Sequence, residues 1–226
     1  PANGRALNNL GRVHLQKERF DVAADFFRRS LQVEPGNPTA EFNLGLALMK
    51  AGHLAESEAP LRRAVAILPG YYNAHLTLGM VLIKLNRPQE ALANFAVARH
   101  YDPWPAALHF QGGLALAQLG HWNEAIAHYK RSLELNPRNA KAHSNWGAAL
   151  LALKSPAEAI PHFEAALRLS PEQAEVYYNL GQACAALGRT PEAMRHYAEA
   201  IRLDPAQADA RLNFGIALAQ ANQLPE

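Results

Sequence analysis

Seven polar side chains stand in one register of this sequence. Asn9, Asn43, Thr77, Gln111, Asn145, Asn179 and Asn213 follow one another at intervals of 34 residues. A carboxamide donates through its nitrogen and accepts through its oxygen, so one asparagine can pair with both the N–H and the C=O of a peptide unit. Asparagine is a mediocre helix former, so a row of them within a helical pattern needs a reason. Two physical reasons compete: binding the main chain of another polypeptide, or hydrogen bonds that tie one helix to the next. The other candidates for chemistry are weaker. Histidines also fall in rows, with His75, His109 and His143 in one and His128, His162 and His196 in another. A zinc ion needs donor atoms about 2.1 Å away, and side chains one structural unit apart cannot close on a single ion. They read as packing residues, and neither a metal nor a cofactor is expected. No phosphate loop, HExxH or GxSxG occurs. The one cysteine, Cys184, occupies an apolar helical position and excludes an intrachain disulfide. The sequence therefore predicts no enzyme.

The interval of 34 residues governs the whole chain. Glycine recurs at Gly11, Gly45, Gly79, Gly113, Gly147, Gly181 and Gly215, and proline at Pro1, Pro35, Pro69, Pro103, Pro137, Pro171 and Pro205. Self-similarity at one fixed period is the signature of a solenoid, in which each unit buries its face on the next. A single array over 1–226 divides into repeats 4–37, 38–71, 72–105, 106–139, 140–173 and 174–207, with a partial repeat 208–226. Counting from each repeat's first residue, the glycine row is position 8 and the asparagine row is position 6. Each repeat predicts a helical hairpin. The first helix runs from about position 2 to 14, with apolar residues at helical spacing such as Tyr177, Leu180, Cys184 and Leu187. Gly52, Gly120 and Gly188, with Asn86 and Asn222, occupy position 15, where a left-handed residue ends a helix; Glu18 and Lys154 depart from that rule. The second helix begins near position 18, with Ser155-Pro156 and Thr190-Pro191 expected as N-caps. Small residues at positions 20 and 27 flank an aromatic, as with Ala193, Tyr197 and Ala200, a pattern for close helix packing. The proline row then stops the helix.

This pattern resembles the tetratricopeptide repeat, whose period and helix–turn–helix unit are the same. The consensus tryptophan at position 4 and most of the tyrosine at position 11 are missing. The resemblance implies an all-α solenoid coiled into a right-handed superhelix, with the first helices lining its concave wall. The asparagine row resembles most the asparagine-lined arm of O-GlcNAc transferase, and also the peroxisomal import receptor. In those arms such residues hold a bound peptide's backbone. The expected function is a non-catalytic scaffold for an extended peptide or partner segment in a concave groove. Two alternatives stand beside it: the recruiting arm of a larger enzyme such as a glycosyltransferase, and a self-assembly module joined through its ends. The family's carboxylate clamp is absent, because position 5 holds Asn8, Phe42, Leu76, Phe110, Ser144, Tyr178 and Leu212.

Positions 2, 9 and 13 share the asparagine face, since steps of three and four return to one side of a helix. They place Arg5, Arg12, Lys50 and Lys84 early and Glu175 and Asp209 late, with Lys141 an exception and Gln182 at position 9. Such a gradient would orient a charged ligand; solvated surface charge explains it equally. Near the break in the row, Met80, Phe110 and Leu114 beside Gly112 suggest a central apolar pocket, and a locally adjusted helix crossing is the simpler account. The junction Asp102-Pro103-Trp104-Pro105 is unlike the others.

Composition adds exclusions. With 49% hydrophobic and 19% charged residues the chain reads as folded and globular in character. A net charge of +2 is too small to signal nucleic acid. No apolar run is long enough to span a membrane, and no signal pattern opens the chain. Pro1 and Glu226 both fall in mid-pattern, which predicts a piece of a longer array whose end leaves Phe214 and Leu218 uncovered.

Overall fold

Asparagine caps open three of the first helices. Asn37 Oδ1 accepts from Thr39 N and Ala40 N, both at 3.1 Å. Asn3 and Asn139 do the same for Ala6 N and Ala142 N at 3.2 Å. Each satisfies backbone donors that the first helical turn leaves open. The computed structural model describes residues 3–101 and 105–221, and these form thirteen helices and no strand. The first helices are α1 (Gly4–Gln16), α3 (Pro38–Ala51), α5 (Tyr72–Lys84), α7 (Ala106–Gln118), α9 (Ala140–Ala152), α11 (Ala174–Ala186) and α13 (Ala208–Ala221). The second helices are α2 (Phe20–Val33), α4 (Leu54–Ile67), α6 (Pro88–Tyr101), α8 (Trp122–Leu135), α10 (Pro156–Leu169) and α12 (Thr190–Leu203).

The chain forms two compact units, 1–119 and 120–226. In the first, α1 packs on α2, α2 on α3, and so on through α6 and α7; the first helices α1, α3, α5 and α7 also touch in succession. In the second, α8 through α13 pack in the same consecutive order, and α9 touches α11. The architecture is an all-α repeat solenoid.

The small-residue rows explain the close packing. Ala23, Ser57, Ala91, Ala125, Ala159 and Ala193 at position 20 have no exposed surface, nor have Ser30, Ala64, Ala98, Ser132, Ala166 and Ala200 at position 27. The serines among them need partners. Ser30 Oγ donates to Gly4 O at 2.8 Å and Ser57 Oγ to Leu54 O at 2.7 Å. Between the two small rows lies the ring, and the ring explains the glycine. A Cβ on Gly181 would stand 2.6 Å from Tyr197 Cε1, and one on Gly147 2.7 Å from Phe163 Cε1. Glycine is required there because the second helix seats its ring on the first helix's backbone. Full burial of such a ring stabilises by about 1.5–3 kcal/mol.

Three expectations are corrected. Glu18, Asn86 and Lys154 have φ of 57°, 58° and 59°, alongside Gly52, Gly120 and Gly188. The left-handed turn is thus kept at Glu18 and Lys154, held by the helices on either side; only the residue type departs. Neither Ser155 nor Thr190 caps through its hydroxyl, and Thr190 already lies inside α12. Phe214 packs against the core of its unit, whereas Leu218 is exposed and nothing lies within 4 Å of a Cβ on Gly215. Asp102, Pro103, Trp104, Asn222 and Glu226 lie outside the described residues.

Candidate functional site

Positions 2, 9 and 13 of the first helices are exposed or half-buried throughout. Arg5, Arg12, Lys50 and Lys84 are exposed, and Leu46, Met80, Leu114 and Gln182 are half-buried. The asparagine row sits at the edge of this face, and its members do not share one environment. Asn9 is exposed. Asn43 and Thr77 are buried, at 6% and 7% exposure. Asn43 Nδ2 donates to Asn8 Oδ1 at 3.1 Å, a bond from α3 to α1. This residue ties repeats together. Gln111 is half-buried beside half-buried Phe110. Leu114 packs against the core of the first unit, while Phe42 meets Tyr71 at 5.1 Å between ring centroids.

In the second unit the row is more open. Asn145, Asn179 and Asn213 are all half-buried. Asn145 Nδ2 donates to Lys141 O at 2.8 Å within its own helix. Asn179 makes no side-chain hydrogen bond among the described residues. Asn213 Nδ2 donates to the Tyr178 hydroxyl at 3.2 Å, and Gln182 Nε2 donates to the same oxygen at 2.9 Å. Burial raises the Tyr178 hydroxyl's pKa, with Asp209 adding to it and the two amide donors opposing. The hydroxyl stays protonated at neutral pH and keeps its own hydrogen to donate. Gln182, Asn213, Ile216 and Gln220, with Tyr197 below, line a cleft of about 280 Å³. The sequence reading brought Asn213 and Gln182 onto this face but missed Tyr178. The available signal was spacing: position 6 lies 35 residues after the preceding position 5, the offset of both Asn43–Asn8 and Asn213–Tyr178.

Charge divides the two faces of the first unit. On the second helices and in the turn before α6, Arg62 bonds Glu58 and Glu90 at 2.8 Å, and Arg87 bonds Glu58 at 2.8 Å and Glu90 at 2.6 Å. Arg28 reaches Glu56 at 3.4 Å. Arg87 and Arg62 pull the Glu90 carboxyl down to about 2. Burial alone would raise the Glu58 pKa, but hydrogen bonds from Arg62 and Arg87 leave it lowered. By contrast, Arg5, Arg12, Lys50 and Lys84 on the first-helix face form no ion pair among the described residues. Lys50 borders a cleft with Glu18 and Asp21, and Asp21 is engaged by His53 at 3.0 Å.

His75, His143 and His162 pack. His75 bridges Asn94 Oδ1 at 3.0 Å and Pro69 O at 2.9 Å. His162 stacks on Trp146 at 4.0 Å and faces His143 at 5.8 Å. Among the described residues no group of three or more His, Cys, Asp or Glu is placed to hold a metal. Burial pushes the Cys184 thiol up, away from thiolate chemistry. No described helix is long and apolar enough to cross a membrane.

Tetratricopeptide-repeat family models match residues 8–72, 113–154 and 138–206. A segment of 57 residues is 40% identical to Protein POLLENLESS 3-LIKE 2 of Arabidopsis thaliana, a match that takes in 25% of this chain and 13% of that protein. Among solved structures, the fold is similar to the APC/C hetero-tetramer Cut9-Hcn1, with a TM-score of 0.83 and 20% identity over 96% of this chain and 43% of that one. It is similar to PilW, a type IV pilus biogenesis factor, with a TM-score of 0.82 and 21% identity over 93% and 99% of the two chains. YrrB, described as a TPR protein with an unusual peptide-binding site, matches with a TM-score of 0.66 and 21% identity over 89% and 100%. Seven in-phase first helices, the glycine–ring contacts and these matches agree: the chain belongs to the tetratricopeptide-repeat family.

Proposed function

We propose that this chain is a non-catalytic scaffold that holds an extended peptide or partner segment against the exposed face of its first helices. The observation that carries the reading is the group around Tyr178. Gln182 and Asn213 converge on its hydroxyl, Asn179 remains unbonded, and a cleft opens beside them. Two carboxamide oxygens, a hydroxyl hydrogen and a free carboxamide suit the alternating N–H and C=O groups of an extended main chain. Packed helices lie about 8–10 Å apart, so successive repeats would engage a peptide about every third residue at roughly 3.3 Å each. An asparagine-lined arm would grip a peptide in this way, and YrrB's description as a TPR protein with an unusual peptide-binding site supports the reading by analogy.

The test is capture of peptides from a random library, followed by affinity measurement with Asn145→Ala, Asn179→Ala and Asn213→Ala combined. The triple variant is expected to lose binding by at least about tenfold while its helicity by circular dichroism persists. Unchanged affinity would reject the carboxamide row as the binding element.

A further inference from the structure

We propose that the first-helix face of the first unit selects an acidic segment carrying an aliphatic side chain at every third residue, bound in polyproline II conformation. The inference rests on the scaffold reading above and adds which ligand side chains are read, and where.

Main-chain gripping is largely closed in the middle of this unit. Asn43 is spent on Asn8, and Thr77 is buried. What the same helices leave open is different in kind. Leu46, Met80 and Leu114 occupy position 9 of α3, α5 and α7, three successive first helices, and each is half-buried with part of its apolar surface uncovered. Arg12, Lys50 and Lys84 border this strip and are exposed. The sixteen residues at positions 2, 6, 9 and 13 of α1, α3, α5 and α7 include four cations and no carboxylate. On the opposite face of this unit, Arg28, Arg62 and Arg87 all have acidic partners. The first-helix cations therefore form no ion pair of the kind seen on the other face, although Glu18 and Asp21 line the cleft that Lys50 borders, and the complement they call for is an acidic ligand.

Spacing selects the ligand's backbone. Neighbouring packed helices stand about 8–10 Å apart. A β-strand returns a side chain to one face every two residues, about 6.6 Å, so its repeat falls short or overshoots. A polyproline II helix turns once in three residues, advancing about 9.3 Å. One aliphatic residue per turn then meets Leu46, Met80 and Leu114 in order, and acidic residues between them reach Arg12, Lys50 and Lys84.

The experiment is fluorescence anisotropy with labelled synthetic peptides of repeated Leu-Pro-Glu triplets. Controls of equal length repeat Leu-Pro-Lys, Ala-Pro-Glu, or alternate Leu and Glu. The Leu-Pro-Glu peptide is expected to bind at least about tenfold more tightly than each control, a difference of one decade in Kd, and to weaken as salt rises. Combined Lys50→Glu and Lys84→Glu should abolish the preference for glutamate over lysine. Both residues are exposed, so the fold persists, and circular dichroism checks it. Met80→Asp should remove the preference for leucine over alanine. Equal binding of Leu-Pro-Lys, or no response to the lysine substitutions, overturns the inference. If Leu-Pro-Glu fails while library peptides bind through Asn145, Asn179 and Asn213, this inference falls and the scaffold reading stands. If no peptide binds, both fall.

Discussion

Asn43 donates its carboxamide hydrogen to Asn8 Oδ1 across 3.1 Å, and both residues are buried between α1 and α3. Further along the same row, Asn179 is half-buried and makes no side-chain hydrogen bond among the described residues. One residue type at one repeat position thus serves two purposes, decided by position 5 of the preceding repeat. Asn43→Ala leaves a buried acceptor without its donor, at a cost of about 1–3 kcal/mol. Asn179→Ala should change stability by no more than about 0.5 kcal/mol. Urea unfolding of the two variants checks the contrast, and equal destabilisation would contradict it.

The glycine row splits in the same way. Gly181→Ala drives a methyl group to 2.6 Å from the Tyr197 ring and should cost about 1–3 kcal/mol. At Gly215 nothing lies within 4 Å, so alanine meets no obstacle and gains about 0.5–1 kcal/mol from its better helix propensity. Thermal melts of both variants should shift in opposite directions.

Lys154 holds φ at 59° in the turn between α9 and α10. A side chain there strains the left-handed backbone by about 1–2 kcal/mol. Lys154→Gly should raise stability by about 1 kcal/mol once glycine's extra unfolded-state freedom is subtracted. A lower melting temperature would show that the lysine side chain contributes more than its backbone strain removes.

Acid should weaken the second unit. Burial lowers the pKa of His143, His162 and His196; nearby Arg168 adds to the effect at His143, His143 at His162, and Arg195 at His196. Their folded values lie below the unfolded value of 6.5. Above that pH the rings are neutral in both states and the stability is fully present. Below it the unfolded chain takes up protons first, so stability falls as pH drops through the folded values. Melting at pH 7.5 and 5.5 should show the loss, and His162→Phe, which preserves a ring against Trp146, should reduce the difference.

The sequence alone determined the helical hairpin, its 34-residue period and the family, because each depends on local chemistry repeated in phase. Gly181 and Tyr197 recur together for a steric reason that operates in every unit, and asparagine or proline punctuates each helix within a few residues. It also placed Arg12, Lys50, Lys84, Gln182 and the asparagine row on one helical face, since that is a matter of helical angle. The tertiary structure decided which of those residues are free. Asn43 is spent because Asn8 lies opposite it, Asn213 shares a hydroxyl because Tyr178 does, and Arg62 is paired because Glu90 sits on the next second helix. These partners are 35 or 28 residues away, and their meeting depends on how one hairpin stacks on the next. Lys154 makes the point for the backbone: its side chain disfavours the left-handed turn, and the packing of α9 on α10 imposes it.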